Sequence, residues 1–370
     1  MSRILLLLSS MGAGGAERVA ATLANAWASR GDRITLMPTF SGRGECFYKL
    51  SPGVRLVYLA DLVSGRKRTP IHQFGRMRAL RRFIAEEHPD VIVSFLSNVN
   101  VAAVLASAGL GIPVIVCERI DPFVVPTSLV LRLACCSAYP FADAVMVQTH
   151  AVAAKYASSG RALRRVAVIP NPVVDVQDLS GGRRARLGGK KYLLSIGRLD
   201  EQKQFHVLIR VFSGLSARHP EWSLRIVGEG PLRADLQRQI ADLGLAERIE
   251  LRGRTEAVAD ELAAADVFVL TSKYEGFPNA LLEAMAAGLP CATFDCPSGP
   301  REMSMDGRVA LLVRADDEQG LGHGLEQLMS DAALRSDLGN RARASVMERY
   351  SLDKVLGQWD ALYEAVGVKR

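Results

Sequence analysis

The 370-residue sequence contains little cysteine, and its six cysteines (46, 117, 135, 136, 291 and 296) form no C-x2-C pair. Closely spaced cysteine pairs are typical of structural zinc sites, so such a site is not predicted. Several of the cysteines lie in apolar runs. We therefore expect reduced, buried thiols in a cytoplasmic protein.

Long hydrophobic runs are also missing, because no stretch approaches the roughly 20 apolar residues of a membrane-spanning helix. The start of the chain, Arg3 followed by Ile4 to Leu8, resembles a signal peptide. Its apolar core is short, however, and a helical pattern follows at once. We therefore expect neither a leader peptide nor a membrane span.

Acidic residues are scarce in one half of the chain. Residues 1–175 contain 20 Lys and Arg against 11 Asp and Glu, whereas residues 176–370 contain 26 against 28. The first half should therefore be the one that meets an anionic surface. Aromatic residues make up only 6% of the chain, and no stacking pattern accompanies the basic charge. Nucleic acid is accordingly not an expected partner.

The excess of basic charge is concentrated in residues 66–85, which contain seven Lys and Arg and no acid. Phe74, Met77, Leu80 and Ile84 recur there at helical spacing, which predicts a basic amphipathic helix. Two interpretations stay open. The helix is either an ordinary surface helix with a solvated charged face, or it contacts an anionic membrane, with Phe74 and Met77 facing lipid.

A glycine-rich turn follows the first predicted strand, Ile4 to Ser9. It contains Gly14 and Gly15 and precedes a helix from Val19 to Ser29. Glycines let backbone N–H groups approach a phosphate closely, so strand, glycine loop and helix together indicate phosphate binding. The spacing is not that of a dinucleotide fingerprint, and a tight connection between strand and helix explains the glycines almost as well.

The most informative stretch is residues 275–290. An apolar run from Ala265 to Leu270 predicts a buried strand before it, and residues 279–287 read as a helix that Gly288 ends. Glu275 then lies beyond the carboxyl end of a strand, where open α/β sheets bind ligands. The free backbone N–H groups at the helix N-terminus can bind a phosphate. Because a carboxylate is repelled by a diphosphate, Glu275 and Glu283 are better suited to sugar hydroxyls, which indicates a nucleotide-sugar site.

This segment resembles the paired-glutamate signature, E-x7-E, of the family-4 retaining glycosyltransferases, and the resemblance extends over nearly the whole chain. It implies an α/β architecture with the GT-B fold, in which two Rossmann-like domains face a cleft and a C-terminal helix crosses back to the first domain. The implied domains are an acceptor-side domain at 1–173, a donor-binding domain at 190–350 and a terminal helix at 351–370, with a linker between 173 and 190.

The resemblance also implies site residues. Glu275 would bind donor-sugar hydroxyls and steady the charge at the reacting carbon, while Glu283 would bind the ribose. Arg198 and Lys203 match the family's diphosphate clamp, and Arg254 lies near the expected place of the base. The remaining donor-binding residues are the glycine loop and the start of the 279–287 helix, namely Gly14, Gly15, Gly276, Phe277, Pro278, Asn279 and Leu282.

The sequence departs from the family at one place. Many members have a histidine after the strand Val114 to Cys117, but here Glu118 and Arg119 follow it. Either Arg119 helps to hold the diphosphate or the acceptor, or the two residues form an ion pair that shapes the loop.

The implied activity is metal-independent, retaining transfer of a hexose or N-acetylhexosamine from a UDP-sugar to a lipid-linked glycan acceptor in bacterial polysaccharide biosynthesis. No Asp-x-Asp motif occurs in the chain, so neither a metal nor another cofactor is expected. The expected location is the cytoplasmic face of the cell membrane. Two alternatives are a UDP-N-acetylhexosamine epimerase on the same fold and an inactive nucleotide-sugar-binding partner protein.

Overall fold

The computed structural model describes residues 1–40, 46–63, 70–174 and 190–368, with 70–73 as backbone alone. The chain forms two compact units. The first domain consists of Met1–Pro172 and Val355–Arg370, and the second domain of Val173–Lys354. Most of the predicted linker, together with Arg66 to Arg68 of the basic run, lies outside the described residues.

The first domain is built on a parallel sheet. Its strands in the described residues are β1 (Arg3–Leu8), β2 (Arg33–Pro38), β3 (Val54–Leu56), β4 (Val91–Phe95), β5 (Val114–Cys117), β6 (Ala144–Val147) and β7 (Val166–Val168). Its helices there are α1 (Gly15–Ser29), α2 (Pro70–Glu87), α3 (Ser97–Ser107), α4 (Leu129–Ala138) and α5 (His150–Ser158), with 3₁₀ turns at Leu59–Leu62 and Tyr139–Phe141. The strand order is β3-β2-β1-β4-β5-β6-β7.

The second domain repeats this plan. Its strands in the described residues are β8 (Lys191–Ile196), β9 (Trp222–Val227), β10 (Ile249–Gly253), β11 (Val267–Leu270), β12 (Cys291–Asp295) and β13 (Leu311–Arg314), in the order β10-β9-β8-β11-β12-β13. Its helices there are α6 (Phe205–Ser216), α7 (Arg233–Asp242), α8 (Val258–Ala264), α9 (Asn279–Ala286), α10 (Pro300–Met303), α11 (Glu318–Ser330) and α12 (Ala332–Tyr350).

The central strands are continuous apolar runs because helices cover both faces of a parallel sheet. Ile4 to Leu8 are all buried in β1, and Val267 to Leu270 are all buried in β11. In both sheets the strand order reverses beside the first strand, between β1 and β4 and between β8 and β11. Ligands of such sheets bind outside the carboxyl ends of the strands at this switch point.

The last helix, α13 (Leu352–Ala365), packs on the first domain as the resemblance implies. Trp359 meets Trp27 edge to face with ring centroids 5.4 Å apart, and Asp360 pairs with Arg30 at 2.9 Å. Aromatic pairs of this kind add to the stability gained from burial.

The observed domain boundaries differ slightly from the predicted ones. Val173 belongs to the second domain, because its N–H donates to the Tyr350 carbonyl at 2.8 Å. The start of α13, up to Lys354, also belongs to the second domain. Within the ranges that the structure describes, no helix is both long enough and apolar enough to span a bilayer.

Candidate functional site

Two loops meet at the switch point of the second domain. One covers residues 197–204, after β8, and the other covers residues 271–278, after β11. The Thr271 hydroxyl donates to the Lys203 carbonyl at 2.8 Å, and the Lys273 amide donates to a carbonyl of loop 197–204, also at 2.8 Å. These bonds hold the predicted Lys203 and Glu275 segments against each other.

The Lys203 ammonium lies 2.5 Å from the Glu275 carboxylate. The two side chains are only 17% and 8% exposed, so the ion pair is largely shielded from water. A Coulomb interaction is stronger in such a place than at an exposed site. The structure thus brings together two residues whose predicted roles were separate, one at the diphosphate and one at the sugar.

Glycines make this arrangement possible. A Cβ atom at Gly197 would lie 3.0 Å from Cε of Lys203, so the lysine side chain passes directly over the glycine backbone. A Cβ atom at Gly228 would lie 1.8 Å from the Gly197 carbonyl oxygen, and one at Gly230 would lie 2.3 Å from the Leu199 carbonyl oxygen. Gly228 and Gly230, in the loop after β9, were not assigned a role from the sequence. Two glycines directly after a predicted strand are the signal that could have indicated one.

The helix α9 starts beside Glu275. Pro278 is its N-cap and offers no side-chain oxygen, while the first N–H groups of a helix lack intrahelical acceptors. Asn279 and Glu283 are both partly exposed on this helix, which is compatible with ligand contact.

Two predicted donor-binding residues are not available to a ligand. The Leu282 side chain is buried in the core of the second domain, and so is that of Phe277, which packs edge to face on Tyr350 at 5.7 Å. An apolar residue in the first turns of a helix that lies on a sheet turns toward the sheet. These two side chains therefore support the site and do not line it.

The two predicted arginines of the second domain lie in solvent. The Arg198 side chain is 72% exposed, and its nearest acidic partner is Asp200 at 3.7 Å. Arg254 follows β10 and is also exposed. Of the predicted clamp, only Lys203 is held in a fixed position by a buried partner.

A third loop, after β12, supports the glutamate. The Glu275 amide donates to the Pro297 carbonyl at 3.1 Å. A Cβ atom at Gly299, where φ is +106°, would lie 2.4 Å from Cδ of Pro278. The neighbouring Cys296 is buried; burial, and then the negative charge of Glu275, raise its thiol pKa. This cysteine is an inert packing residue at neutral pH.

The glycine loop of the first domain lies at the other switch point. Gly14 is the N-cap of α1, and Gly15 is its exposed first residue. A Cβ atom at Gly14 would lie 2.2 Å from the Glu17 carboxylate, which also accepts a hydrogen bond from the Ser10 hydroxyl at 2.9 Å. Glu17 was not predicted from the sequence. Its negative charge beside the helix start opposes the binding of a phosphate there.

Glu118 and Arg119 have different partners, so of the two alternatives left open for them the structure does not support the ion pair. Glu118 accepts hydrogen bonds from the Ser97 hydroxyl at 2.9 Å and from the Tyr139 hydroxyl. Arg119 donates to Asn171 and lies over the Phe95 ring. Successive residues at the end of a strand project to opposite faces, which separates the two charges.

Arg119 is a buried cation with a neutral partner. Burial lowers its pKa to about 10, and among the described residues its Nε atom finds no acceptor. Its negative neighbour is Glu17, which acts on it only through space. A buried guanidinium is held best by an anion, so Arg119 remains a candidate for binding an anionic group of a ligand.

Burial raises the pKa of Glu118, which gives a testable pH dependence. Because the folded protein holds this proton more tightly than the unfolded chain, the contribution of Glu118 to stability should fall as pH rises above about 4.3, the ordinary glutamate value. We expect Glu118→Gln to lose less unfolding free energy than wild type between about pH 5 and about pH 8. Urea unfolding at both pH values measures this.

Asp90 provides the opposite control, because its hydrogen bond from Arg3 lowers its pKa. Its contribution to stability is present above the unfolded value and is lost on acidification. The difference in unfolding free energy between wild type and Asp90→Asn should therefore shrink as the pH falls toward about 2. A Glu118→Gln protein whose stability changes with pH in parallel with wild type would contradict the assignment of a raised pKa.

The fold and the site together define a class of protein. Two Rossmann-like domains form the GT-B architecture, and a lysine and a glutamate at the second switch point are the residues that the resemblance implies for a glycosyltransferase donor site. Residues 14–172 match the family described as Glycosyl transferase 4-like domain, and residues 183–345 match Glycosyl transferases group 1. Together the two matches span most of the chain, and the chain belongs to the glycosyltransferases that these two families describe.

Relatives agree with this assignment, and solved structures agree with the fold. The chain is 28% identical over 97% of its length, and 97% of the relative's, to the GalNAc-α-(1→4)-GalNAc-α-(1→3)-diNAcBac-PP-undecaprenol α-1,4-N-acetyl-D-galactosaminyltransferase of Campylobacter jejuni. It resembles a mutant S. aureus TarM in complex with fondaparinux, α-GlcNAc-glycerol and UDP (TM-score 0.82, 13% identity, 98% of this chain and 100% of TarM). Anabaena HepE in complex with UDP-glucose gives a TM-score of 0.77 at 20% identity, over 98% of this chain and 100% of HepE. The overall fold is thus GT-B.

Proposed function

We propose that the protein transfers a hexose or N-acetylhexosamine from a UDP-sugar to a lipid-linked glycan, with retention of anomeric configuration, in bacterial polysaccharide synthesis. The observation that carries the proposal is the shielded contact between Lys203 and Glu275 at the switch point of the second sheet. A UDP donor is supported by the HepE complex with UDP-glucose and the TarM complex with UDP. A lipid-linked acceptor is supported by the undecaprenol-linked substrate in the name of the Campylobacter relative.

In this mechanism the Lys203 ammonium binds the diphosphate and neutralises the charge that develops on it as it leaves. A cation that already has a fixed position needs no reorganisation during the reaction, which is the source of its catalytic effect. Lys203 is paired with Glu275 before donor binds, so the donor diphosphate competes for the same ammonium. Part of the electrostatic attraction of the lysine is then transferred from the carboxylate to the leaving diphosphate.

Glu275 is the residue that meets the sugar. Its carboxylate accepts hydrogen bonds from donor hydroxyls and stabilises positive charge at the reacting carbon. Glu283, one turn into α9, binds the ribose hydroxyls, and Arg119 of the first domain binds an anionic group of donor or acceptor. The departing diphosphate takes the acceptor's proton, so the reaction proceeds on one face of the sugar without a separate protein base.

A panel of UDP-sugars, each incubated with and without lipid-linked acceptor, tests the proposal. Transfer product that forms only when acceptor is present supports it, and the anomeric configuration of that product tests retention. An epimerised sugar formed without acceptor would identify the epimerase alternative. Tight UDP binding without turnover of any donor would identify an inactive binding protein.

Metal independence is a further expected result, motivated by the lack of an Asp-x-Asp motif and by the fixed position of Lys203. Activity should survive excess EDTA, because the lysine and the helix N-terminus neutralise the diphosphate. Lys203→Ala should weaken UDP binding by about tenfold or more, the scale of a lost charge-assisted hydrogen bond. Activity that disappears with EDTA and returns with manganese would contradict this prediction.

A further inference from the structure

The helix α4 of the first domain carries an apolar face that is open to solvent. Leu129, Val130 and Leu133 are 69%, 77% and 58% exposed, and Phe141, just after the helix, is exposed as well. Exposed apolar residues that occur singly are normal on protein surfaces. Three large ones within five residues of one helix form a patch, and such patches mark interaction sites.

The three exposed residues lie on one side of the helix. At 100° per residue, Leu129, Leu133 and Val130 span a face of about 100°. Cys135 and Ala138, on the opposite side, are buried in the core of the first domain, so they fix the direction in which α4 faces. The exposed face is thus a defined product of the fold.

The helix α4 itself carries charge of one sign. Arg132 is the only charged residue between Asp121 and Asp143, and it is exposed on the same helix. A patch of leucine and valine with one cation and no acid suits the interface of an anionic bilayer, where apolar side chains enter the acyl region and an arginine remains at the headgroups.

Neighbouring helices of the first domain carry further exposed apolar residues. The helix α3 packs against both α2 and α4. Leu105 on α3 and Phe74 on α2 are each exposed apolar residues. In the described part of the second domain, the exposed large apolar residues are Val174 and Leu243 alone. The apolar surface is therefore concentrated on the domain whose sequence half carries the excess of basic charge.

The basic helix predicted from the sequence is less suited to this contact. Met77 of α2 packs against the core and does not face lipid. Arg81 donates to carbonyl groups of the α3 end, and Arg82 pairs with Glu86 at 2.7 Å. These arginines are engaged within the protein, so α2 supplies long-range charge more than direct insertion.

We propose that α4 is the membrane-contacting element of this protein. Leu129, Val130 and Leu133 enter the interface of an anionic bilayer, and Arg132 lies among its phosphates. The proposal rests on the proposed function for its biological reason, because a lipid-linked acceptor is presented at such a surface. The lipid contact itself requires neither donor nor acceptor, so it can be tested alone.

Vesicle binding of the purified full chain is the first test. Wild type should partition onto phosphatidylglycerol-containing vesicles and less onto neutral phosphatidylcholine vesicles. The triple variant Leu129→Ser, Val130→Ser, Leu133→Ser should bind the anionic vesicles at least about tenfold more weakly than wild type, because the apolar area that drives insertion is removed. The matched control Leu243→Ser, in the second domain, should bind like wild type. Equal binding of the triple variant and wild type would overturn the proposal.

A fluorescence test covers the case in which the triple variant fails to fold. The three native tryptophans, Trp27, Trp222 and Trp359, are fully buried, so they respond little to lipid. A Val130→Trp variant should show a blue shift on addition of anionic vesicles, whereas Leu243→Trp should not. An unchanged Val130→Trp spectrum would overturn the proposal. So would a concentration-dependent dimer of wild type that the triple variant abolishes, because the face would then be a protein interface.

Activity measurements keep this proposal separate from the proposed function. On a water-soluble acceptor without vesicles, the triple variant should transfer sugar as wild type does, because α4 holds no residue assigned to the reaction. On acceptor embedded in vesicles, it should be slower by about the factor lost in binding. Vesicle binding without any transfer activity would refute the proposed function but would still support the membrane contact of α4. Transfer without vesicle binding would do the reverse.

Discussion

Replacing Glu275 with glutamine should lower turnover by about 10²-fold or more, the scale of losing a positioned electrostatic group. UDP affinity should stay within about threefold of wild type or become tighter, because the change releases Lys203 from its ion pair and leaves the lysine free for the diphosphate. The expected signature is thus a loss in kcat without a loss in nucleotide binding. Steady-state kinetics and calorimetric titration with UDP measure the two quantities.

Glutamine preserves the shape of the side chain but removes the charge that faces Lys203 at 2.5 Å. Breaking a buried ion pair by neutralising one partner leaves the other charge uncompensated, so the variant should also be less stable. The lysine is still partly exposed and can hydrate, which limits this loss to about 1–2 kcal/mol. The kinetic effect, at about 2.7 kcal/mol for a hundredfold change, is the larger one.

A matched control and a double mutant decide what Glu275 does. Glu326→Gln, in an exposed ion pair with Arg218 of the same domain, should leave kinetics unchanged. If Glu275 acts on the sugar directly, its loss should still reduce turnover in a Lys203→Met background. If it serves only to hold Lys203, the second change should add nothing. A Glu275→Gln enzyme with near-normal turnover would remove the residue from the mechanism.

The sequence predicts much of the fold because each signal is local. Apolar runs such as Val267 to Leu270 predict buried strands, and Gly288 with Pro290 predicts where α9 ends. Alternation of these strands with helices is enough for two parallel sheets. Residues that follow a strand, such as Lys203 and Glu275, can therefore be placed at a sheet edge from the sequence alone.

Contacts within the site depend on the order of the strands, which no local pattern contains. Lys203 and Glu275 are 72 residues apart and meet because β8 and β11 are neighbours in the sheet. Burial has the same origin. Leu282 lies in a motif that resembles a ligand site but faces the core, whereas Val130 lies in an apolar run but faces solvent. Which side of a helix is covered is decided by the elements packed against it.

The glycines between the loops give the second large effect. Gly228→Ala should lower the free energy of unfolding by about 3 kcal/mol, because the added Cβ would lie 1.8 Å from the Gly197 carbonyl oxygen and φ at this position is +149°. The Gly197 carbonyl is backbone and cannot move aside as a flexible side chain would. The loop that carries Lys203 must therefore shift, and UDP affinity should fall by about tenfold or more.

Gly214→Ala is the matched control for this change. Gly214 is an exposed residue of α6 in the same domain, and a Cβ atom there would meet no described atom within 4 Å. Alanine favours the helix over glycine, so this variant should be more stable than wild type by about 0.5–1 kcal/mol, with unchanged UDP affinity. Urea unfolding and UDP titration on the same preparations compare the two alanine variants. Similar stability and similar UDP affinity in Gly228→Ala and wild type would show that the close approach of the two loops is not required for donor binding.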